Sequence, residues 1–299
     1  MTRYELEKAR GVNLGGWLVL EKWMTPSLFK GLKAKDETTF CKELGPEAEK
    51  ILRKHWETFI TEKDFQWIKD FGMNVVRIPV GHWIFGDIKP YSGAIHILDW
   101  AVETAGKYGI RVLLDLHAAP GCQNGFDNGG IAGVKEWHLY PDNIDNSIKF
   151  IERLSKRYKG AANIYGIELL NEPFEIPMDL LRDYYVRAYH AVREHMSAEK
   201  CIVVFHDGFK FNQWKEFMTE ACFENIALDT LIYQCFSEQE KELNMFEHLK
   251  RASIDWQIAI DDVTEGCNLL VGEWSLGLRE NVWEGLNDFQ KEAAMRAYG

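Results

Sequence analysis

The sequence has 299 residues, of which 46% are hydrophobic and 27% are charged, and its formal net charge at pH 7 is −11. This length suits one large domain that buries a sizeable core. The negative charge, with no block of basic residues, argues against a surface that binds the phosphates of nucleic acid. No run approaches the roughly 18 apolar residues of a membrane span, so we expect a soluble globular protein with no membrane partner.

The six cysteines are scattered, with no Cys-X-X-Cys pair and no histidine spacing typical of zinc. Reduced thiols are the simpler interpretation, and we predict neither a metal nor an organic cofactor. The first ten residues, MTRYELEKAR, lack the apolar segment of a signal peptide. The expected location is therefore cytoplasmic, or secreted if a signal peptide has been removed.

Apolar runs of strand length alternate along the chain with stretches of helical periodicity. The predicted strands are residues 11–20, 74–80, 111–117, 164–173, 201–209, 227–236 and 268–276. The predicted helices are residues 46–71, 98–109, 143–160, 179–196, 212–219 and the segment from 287 to the end, and 235–251 is expected to be a solvated helix or loop. Strands that are apolar on both faces and alternate with helices indicate a parallel sheet covered by helices.

The fold alternatives at this length are a (β/α)8 barrel and an open doubly wound sheet. No glycine-rich nucleotide-binding motif follows the first strand. Polar residues instead end several strands, which is where barrel enzymes build their sites. We therefore predict one catalytic domain over residues 1–299 with a TIM (β/α)8-type barrel that lacks its eighth strand. The strand-end polar residues are Arg77, His117, Asn171, Glu172, Asp207, Tyr233 and Glu273.

Two of these strand ends, the fourth and the seventh, deliver a glutamate, Glu172 and Glu273. Strands four and seven lie on opposite sides of a barrel mouth, so the two carboxyl groups could approach the roughly 5–5.5 Å separation of retaining glycosidases. The apolar rim would raise the pKa of Glu172, and Glu273 would stay ionised if Arg77 and Tyr233 pointed at it. The alternative is that either glutamate is only a rim carboxylate in an ion pair.

His117 ends an apolar strand before a glycine-rich loop at 118–133, and a structural role and a ligand role both stay open for it. The loop places polar side chains around Phe126, a set suited to hydrogen-bonding sugar hydroxyls while the ring stacks on the sugar. A glycine-rich turn with Asx caps is the alternative. The polar side chains are Gln123, Asn124, Asp127 and Asn128.

Seven stretches follow one another in chain order, each at the end of a predicted strand. They are RGVNLGGWLVLE (10–21), GMNVVRIPVGHWIF (72–85), LLDLHAAPGCQNGFDNGG (113–130), IELLNEP (167–173), VVFHDGF (203–209), YQCF (233–236) and VGEWS (271–275). Together they resemble glycoside hydrolase family 5, and within it the exo-β-1,3-glucanase branch of fungi and bacteria. The resemblance implies a TIM barrel that hydrolyses β-glucosidic bonds.

The resemblance also implies site residues. Glu172 matches the acid/base and Glu273 the nucleophile of a retaining mechanism. Glu21 matches part of the pocket that holds the terminal glucose, and Phe126 and Phe236 match two aromatics that clamp the next sugar. The matches to substrate-positioning residues at the cleaved bond are Arg77, His117, Asn171 and Tyr233, and the matches to polar groups of the loop are Asp127 and Asn128.

Two features depart from the family pattern. The family carries a histidine two residues before Tyr233, where this sequence has Leu231, and we expect weaker transition-state binding. Relatives continue into an eighth strand, whereas this sequence ends at Gly299. An open barrel would expose two strand edges and part of its core, a liability for stability and aggregation that makes self-association one expectation. Three explanations stay open: the sequence is shortened, another chain covers the gap, or the natural protein manages with seven strands.

Three functions remain open from the sequence. An exo-acting retaining glucanase or β-glucosidase, acting on a β-glucan or β-glucoside, is favoured. An endo-acting relative of the cellulase or mannanase type is second, although Glu21 and the loop at 118–133 resemble a closed pocket. A catalytically impaired glucan-binding protein is third, because of Leu231 and the missing strand.

Overall fold

A computed structural model describes residues 8–220, 222–263 and 267–298, and the chain forms two compact units. Unit 1 contains residues 8–208 and 224–226, and unit 2 contains the other described residues, from 209 onwards. That residues 1–299 act as one catalytic domain stays a prediction.

Unit 1 alternates strands with helices. Its strands are β1 (Gly11–Asn13), β2 (Val75–Gly81), β3 (Arg111–Ala118), β4 (Ile164–Glu168) and β5 (Ile202–His206). Its helices are α1 (Glu37–Leu44), α2 (Glu47–Phe59), α3 (Glu62–Asp70), α4 (Ile95–Lys107), α5 (Pro141–Tyr158) and α6 (Met178–Arg193). Each strand pairs in parallel with the next in the chain.

The core of unit 1 follows from its apolar patterning. Strands β2, β4 and β5 are buried along their whole length, as expected of parallel strands covered on both faces. Helix α5 begins with Pro141, whose fixed φ suits the first helical turn. Its buried residues include Phe150, Ile151 and Leu154, at the spacing of one helix face.

Unit 2 holds the remaining strands and helices. The strands are β6 (Ile226–Ile232), whose first residue belongs to unit 1, and β7 (Asn268–Trp274), and they pair in parallel. The helices are α7 (Lys215–Met218), α8 (Glu238–Lys241), α9 (Met245–Lys250), α10 (Trp256–Val263) and α11 (Asp288–Tyr298). Strand β6 is mostly buried, whereas β7 is only half-buried.

The described residues therefore contain seven strands in the predicted order, alternating with helices, as in a (β/α)8 barrel without its eighth strand. The predicted fold class is confirmed. In the described part of the chain, no helix is long and apolar enough to cross a membrane.

Several predicted boundaries were wrong for local reasons. The first strand stops at Asn13 because the chain turns at Gly16, whose φ of +65° favours glycine. The helix predicted over 46–71 is divided into α2 and α3, since Ile60 is extended and Thr61 caps α3. The fourth strand ends at Glu168 instead of 173.

The stretch at 235–251, expected to be a helix or loop, contains the two short helices α8 and α9.

Candidate active site

The carboxyl ends of β2, β3 and β4 carry a buried network centred on Arg77. The Arg77 guanidinium binds Glu168 through two hydrogen bonds, Nε to Oε2 at 2.7 Å and Nη2 to Oε1 at 3.1 Å. Its Nη2 also donates to Oδ1 of Asn171 at 2.8 Å. The planar guanidinium of an arginine suits this geometry. The hydrogen bond from Arg77 orients the Asn171 amide. The Nδ2 group of Asn171 then lies 3.4 Å from Oε2 of Glu172.

Asp115 on β3 links this network to His117. Its Oδ2 lies 3.1 Å from Nη2 of Arg77 and 2.6 Å from Nδ1 of His117. Burial lowers the pKa of His117, but the charge of Asp115 and its hydrogen bond outweigh burial, and the pKa rises to about 9. The imidazole is therefore protonated at neutral pH, with Nδ1 donating to Asp115. Two cations thus face two carboxylates in the network.

Glu172 lies just beyond β4, where the backbone holds its carboxylate in an unusual way. Its φ is +44°, a left-handed conformation that is uncommon for a residue other than glycine. The preceding Asn171 is fixed by its N–H, which donates to the Leu116 carbonyl at 2.9 Å. The half-buried carboxylate of Glu172 accepts a hydrogen bond from Nδ2 of Asn128 at 2.7 Å. Two neutral amides, those of Asn128 and Asn171, therefore lie beside the predicted acid/base.

The loop at 118–133 divides its polar side chains between two roles. Gln123 is fully buried, and its amide binds the backbone of Ala119, His117 and Asn171. Asn124 accepts from the Phe126 N–H at 2.9 Å, an Asx turn, and donates to Asn128. These two residues hold the loop together. Asn128 contacts Glu172, and Asp127 begins a short 3-10 turn at Asp127–Gly129.

Glu21 and Phe126 supply the partly exposed groups that the sequence assigned to sugar binding. Oε2 of the half-buried Glu21 accepts from Nε1 of Trp23 at 2.9 Å. The charge of Glu21 is also among the contributions that raise the pKa of His117, so these two predicted residues share one region. The Phe126 side chain is 41% exposed, and its ring centroid lies 5.5 Å from that of Phe174.

In unit 2, Tyr233 and Glu273 form a hydrogen-bonded pair. The Tyr233 hydroxyl donates to Oε2 of Glu273 at 2.8 Å, as the sequence analysis suggested for this hydroxyl. The Phe236 ring, 71% exposed, meets Tyr233 edge-on at 5.3 Å. Leu231 on β6 is the register partner of Glu273 on β7 and is 6% exposed. An apolar side chain therefore stands beside the strand position of the predicted nucleophile.

Asp207, the polar residue predicted at the end of β5, is buried. Its Oδ1 lies 3.4 Å from Nδ1 of His206, which also accepts the Gly208 N–H. Burial lowers the pKa of His206 to about 3, helped by the positive charges of Arg77 and His117. His206 is therefore neutral, with its proton on Nε2.

The structure brings the predicted residues together in two groups. Sequence reasoning missed three residues that contact Arg77: Asn13, Asp115 and Glu168. A signal existed for two of them, because Asp115 and Glu168 interrupt apolar strands, and a buried carboxylate requires a partner. The group in unit 1 is Arg77, His117, Asn128, Asn171 and Glu172, and the group in unit 2 is Tyr233, Phe236 and Glu273.

One cluster in the described residues has side chains close enough to share a metal ion, namely Glu152 on α5 with Glu194 and His195 at the end of α6. Glu194 is exposed and Glu152 is only half-buried, and exposed acidic groups are common without an ion. The cluster lies on the helices and not at the strand ends.

Residues 41–295 match the sequence profile of cellulase (glycosyl hydrolase family 5). The chain belongs to glycosyl hydrolase family 5. This family-5 chain is therefore a glycoside hydrolase.

Known relatives of this family-5 protein agree with that assignment. It is 40% identical to a glucan 1,3-beta-glucosidase of Blumeria graminis over 96% of this chain and 68% of the relative. It is 41% identical to a probable glucan 1,3-beta-glucosidase A of Emericella nidulans over 92% of this chain and 68% of the relative. The crystal structure of the rutinosidase from Aspergillus niger has a similar fold, with a TM-score of 0.77 at 22% identity over 99% of this chain and 86% of that one.

Proposed function

We propose that this family-5 hydrolase is a retaining, exo-acting β-1,3-glucanase or β-glucosidase that releases glucose from β-glucans or β-glucosides. One observation carries the proposal: each predicted catalytic carboxylate follows or ends a barrel strand and accepts a hydrogen bond from a neutral donor. Asn128 donates to Glu172 and Tyr233 donates to Glu273. The names of the relatives, glucan 1,3-beta-glucosidase, support the linkage.

Glu172 and Glu273 divide the proposed reaction between them. Glu172 protonates the glycosidic oxygen while Glu273 attacks the anomeric carbon, which gives a covalent glucosyl–enzyme and releases the aglycone. Glu172 then takes a proton from water as the water attacks the same carbon, and glucose leaves with its original configuration. The Tyr233 hydroxyl orients the attacking carboxylate.

The buried network prepares the sugar-binding groups. Because Arg77 occupies Oδ1 of Asn171, the Nδ2 group faces Glu172 and would donate to the 2-hydroxyl of the sugar. A hydrogen bond to this hydroxyl strengthens in the transition state. The protonated His117 adds positive charge near the same hydroxyls. Glu21 would bind the terminal glucose, and Phe126 and Phe236 would stack on the next sugar.

Azide rescue tests the two catalytic roles separately. In Glu273→Ala, azide can replace the nucleophile directly, and the product from an activated aryl β-glucoside should be the α-glucosyl azide. In Glu172→Ala, the covalent intermediate still forms and azide attacks it, so the product should be the β-glucosyl azide. Without azide, we expect each variant to lose at least about 1,000-fold in turnover of unactivated substrate.

Glu175→Ala is the matched control, because Glu175 is an exposed carboxylate three residues from Glu172 that pairs with Lys135. It should retain wild-type turnover. Azide products of the opposite configurations would exchange the two assigned roles, and unchanged turnover in either catalytic variant would remove that residue from the mechanism. No cofactor enters these steps, so prolonged dialysis against EDTA should leave the rate unchanged.

The endo-acting and impaired alternatives differ from the proposal in their products. The buried Leu231 beside Glu273 is the observation that favours an impaired enzyme. Chromatography of laminari-oligosaccharide digests separates the three functions. Glucose released one unit at a time fits the exo-acting proposal, a ladder of shorter oligomers fits an endo-acting enzyme, and binding without products fits the impaired protein.

The half-buried strand β7 supports the predicted self-association. Within the described residues β7 pairs only with β6, and an unpaired strand edge can pair with another copy. Sedimentation velocity should show a species heavier than the monomer that grows with concentration. The substitution Leu269→Lys places a charge on this strand and should reduce the fraction of the heavier species. A monomer at all concentrations in the wild type would contradict the proposed self-association.

A cytoplasmic location also stays part of the proposal. Its support is that all six cysteines are free, including the buried Cys41, Cys122 and Cys201, since secreted proteins tend to pair their cysteines. Fractionation of the source cells, with detection of this chain, tests it. Recovery from the medium would favour the secreted alternative.

A further inference from the structure

The first turn of α1 is a buried cluster of polar side chains that the proposed reaction does not use. It consists of Asp36, Glu37 and Thr38, here called the α1 turn, and each is at most 4% exposed. Burying two carboxyl groups side by side is costly unless each one is hydrogen-bonded. Their hydrogen-bond partners therefore indicate why these residues are there.

Glu37 joins the loops that follow β1 and β2. Its Oε2 accepts from the Leu20 backbone N–H at 2.8 Å, and its Oε1 accepts from Nε1 of Trp83 at 2.9 Å. Both oxygens of the Glu37 carboxyl group are thus engaged by donors from different loops. Leu20 directly precedes Glu21, the residue proposed to bind the terminal glucose.

Asp36 and Thr38 hold the loop that follows β3. Oδ2 of Asp36 accepts from the Ala132 N–H at 2.9 Å, while its Oδ1 caps α1 through the Thr39 N–H at 2.7 Å. The hydroxyl of Thr38 donates to the Gly130 carbonyl at 2.6 Å, and its backbone N–H reaches the same carbonyl at 3.1 Å. Three hydrogen bonds therefore join one helical turn to the end of the loop at 118–133.

Trp83 completes the connection by packing. Its ring stacks on Tyr91 with centroids 3.9 Å apart and planes 6° from parallel, and the Tyr91 hydroxyl in turn bonds to Thr38. Gly130 also lies against the ring, since a side-chain carbon there would be 2.8 Å from the indole. Only glycine fits at this position, so the loop lies directly against the indole.

We infer that the α1 turn positions two parts of the sugar site at once, and that Glu37 is its principal positioning residue. Glu37 fixes Glu21 through the Leu20 N–H, and it supports the loop whose Asn128 donates to Glu172 through Trp83, against which Gly130 lies. Asp36 and Thr38 hold the same loop directly, at Ala132 and Gly130. The inference rests on the proposed function for its link to catalysis. The mechanical link between the loops stands on the contacts alone.

A graded pair of substitutions at Glu37 tests the inference. Glu37→Leu removes both acceptors with little change of volume, whereas Glu37→Gln keeps one acceptor and should restore part of the function. The matched control is Asn163→Leu. The Asn163 amide also makes two hydrogen bonds, to the carbonyls of Val102 and Ile110, but at the opposite ends of the strands.

Hydrogen exchange and kinetics are the two measurements. In Glu37→Leu, the peptides that cover Leu20 and residues 127–133 should exchange at least about tenfold faster, because each lost buried hydrogen bond is worth about a factor of ten in a local equilibrium. The KM for laminaribiose should rise by a similar factor, with a smaller change in kcat. Glu37→Gln should fall between this variant and the wild type.

A merely structural role would give a different pattern. The two variants Glu37→Leu and Asn163→Leu are compared at equal loss of stability. The inference would be overturned if both increased hydrogen exchange equally in all peptides and had the same KM. If Glu37→Leu does not fold, wild-type exchange of both loops in Glu37→Gln would also overturn it. A wild-type protein inactive on laminaribiose would contradict the proposed function, and the exchange data would still decide whether the α1 turn holds the loops.

Discussion

At the residue scale, the buried charges around Arg77 carry a high cost of desolvation. Arg77 and the protonated His117 offset the carboxylates of Asp115 and Glu168, all of them almost completely buried. Such groups are expensive to desolvate, and removing one partner leaves an uncompensated charge. The network contributes less to stability than to the orientation of Asn171, and that orientation is what the proposed reaction requires.

We expect Arg77→Lys to be strongly destabilising although it conserves charge. A lysine ammonium cannot bind both oxygens of Glu168 and also reach Asn171, so the loss should be about 3–5 kcal/mol in the free energy of unfolding. Urea denaturation gives the value. The control is Arg157→Lys, since Arg157 pairs with Asp99 at the surface and should cost less than about 1 kcal/mol. Equal losses in the two variants would contradict this account.

The pH dependence of stability follows from two buried groups with raised pKa values. The pKa of His117 is raised to about 9, so this residue contributes stability that is complete below pH 6.5 and is lost as the pH rises through 9. Burial raises the pKa of Glu37 from 4.5 to about 8. The contribution of Glu37 to stability therefore also decreases as the pH rises, starting near pH 4.5. The free energy of unfolding should therefore fall between pH 6 and 9.

His117→Gln should flatten the part of this decline between pH 6.5 and 9, because glutamine does not titrate. Urea denaturation at a series of pH values measures the change. A wild-type curve that rises over this range would show that the sign is wrong. A variant whose curve stays parallel to the wild type would assign the decline to another group.

Most of the candidate site could be predicted as single residues, because strand ends are visible as the points where apolar runs stop. The partners of those residues could not. Asp115 and Glu37 acquire their roles from residues that are distant in the sequence, Arg77 and Leu20, and no local pattern records these contacts. Two roles were open for the polar residues of the loop at 118–133, and Gln123 takes the structural one by bonding to the backbone.

At the scale of elements, the pairing of β6 with β7 sets the surroundings of Glu273. Its register partner is Leu231, and the register shifts between Thr230 and Leu231. The order and type of the strands followed from the sequence, since apolar runs of five to eight residues are a strong signal. Their ends did not, because turns at Gly16 and beyond Glu168 depend on local backbone conformation.

Leu231→His should raise kcat/KM on laminaribiose by roughly fivefold, because one added hydrogen bond is worth about 1 kcal/mol. Leu231→Met is the control, since it changes shape without adding a hydrogen-bonding group, and it should not increase the rate. Steady-state kinetics of the two variants decides. A gain in both would attribute the effect to packing, and a gain in neither would make Leu231 irrelevant to the rate.

At the scale of the whole molecule, the two units differ in how well their strands are covered. In unit 1, β2 is buried throughout, whereas in unit 2 every residue of β7 is at least partly exposed. Regions with few buried contacts open most easily. The apolar residues 269–271 of β7 gave no sign of this exposure, because such runs are typical of parallel strands that are covered on both faces.

Hydrogen exchange should therefore rank the strands. Amides of β2 and β3 should exchange slowest, and those of β7 fastest among the strands, by at least about tenfold. Leu269→Lys should leave the order unchanged under conditions where the protein is monomeric. Equal protection of β7 and β2 would mean that β7 is covered in solution, and self-association would be the first explanation to test.

The left-handed backbone of Glu172 has a consequence for selection. A residue with a φ of +44° and a long side chain stores about 1–2 kcal/mol of strain, which asparagine or glycine would relieve. Glu172→Asn should therefore melt a few degrees higher than the wild type while losing hydrolysis. A directed-evolution screen that selects for heat resistance alone would enrich inactive variants with a substitution at position 172. Only a screen that also measures product formation would retain the glutamate.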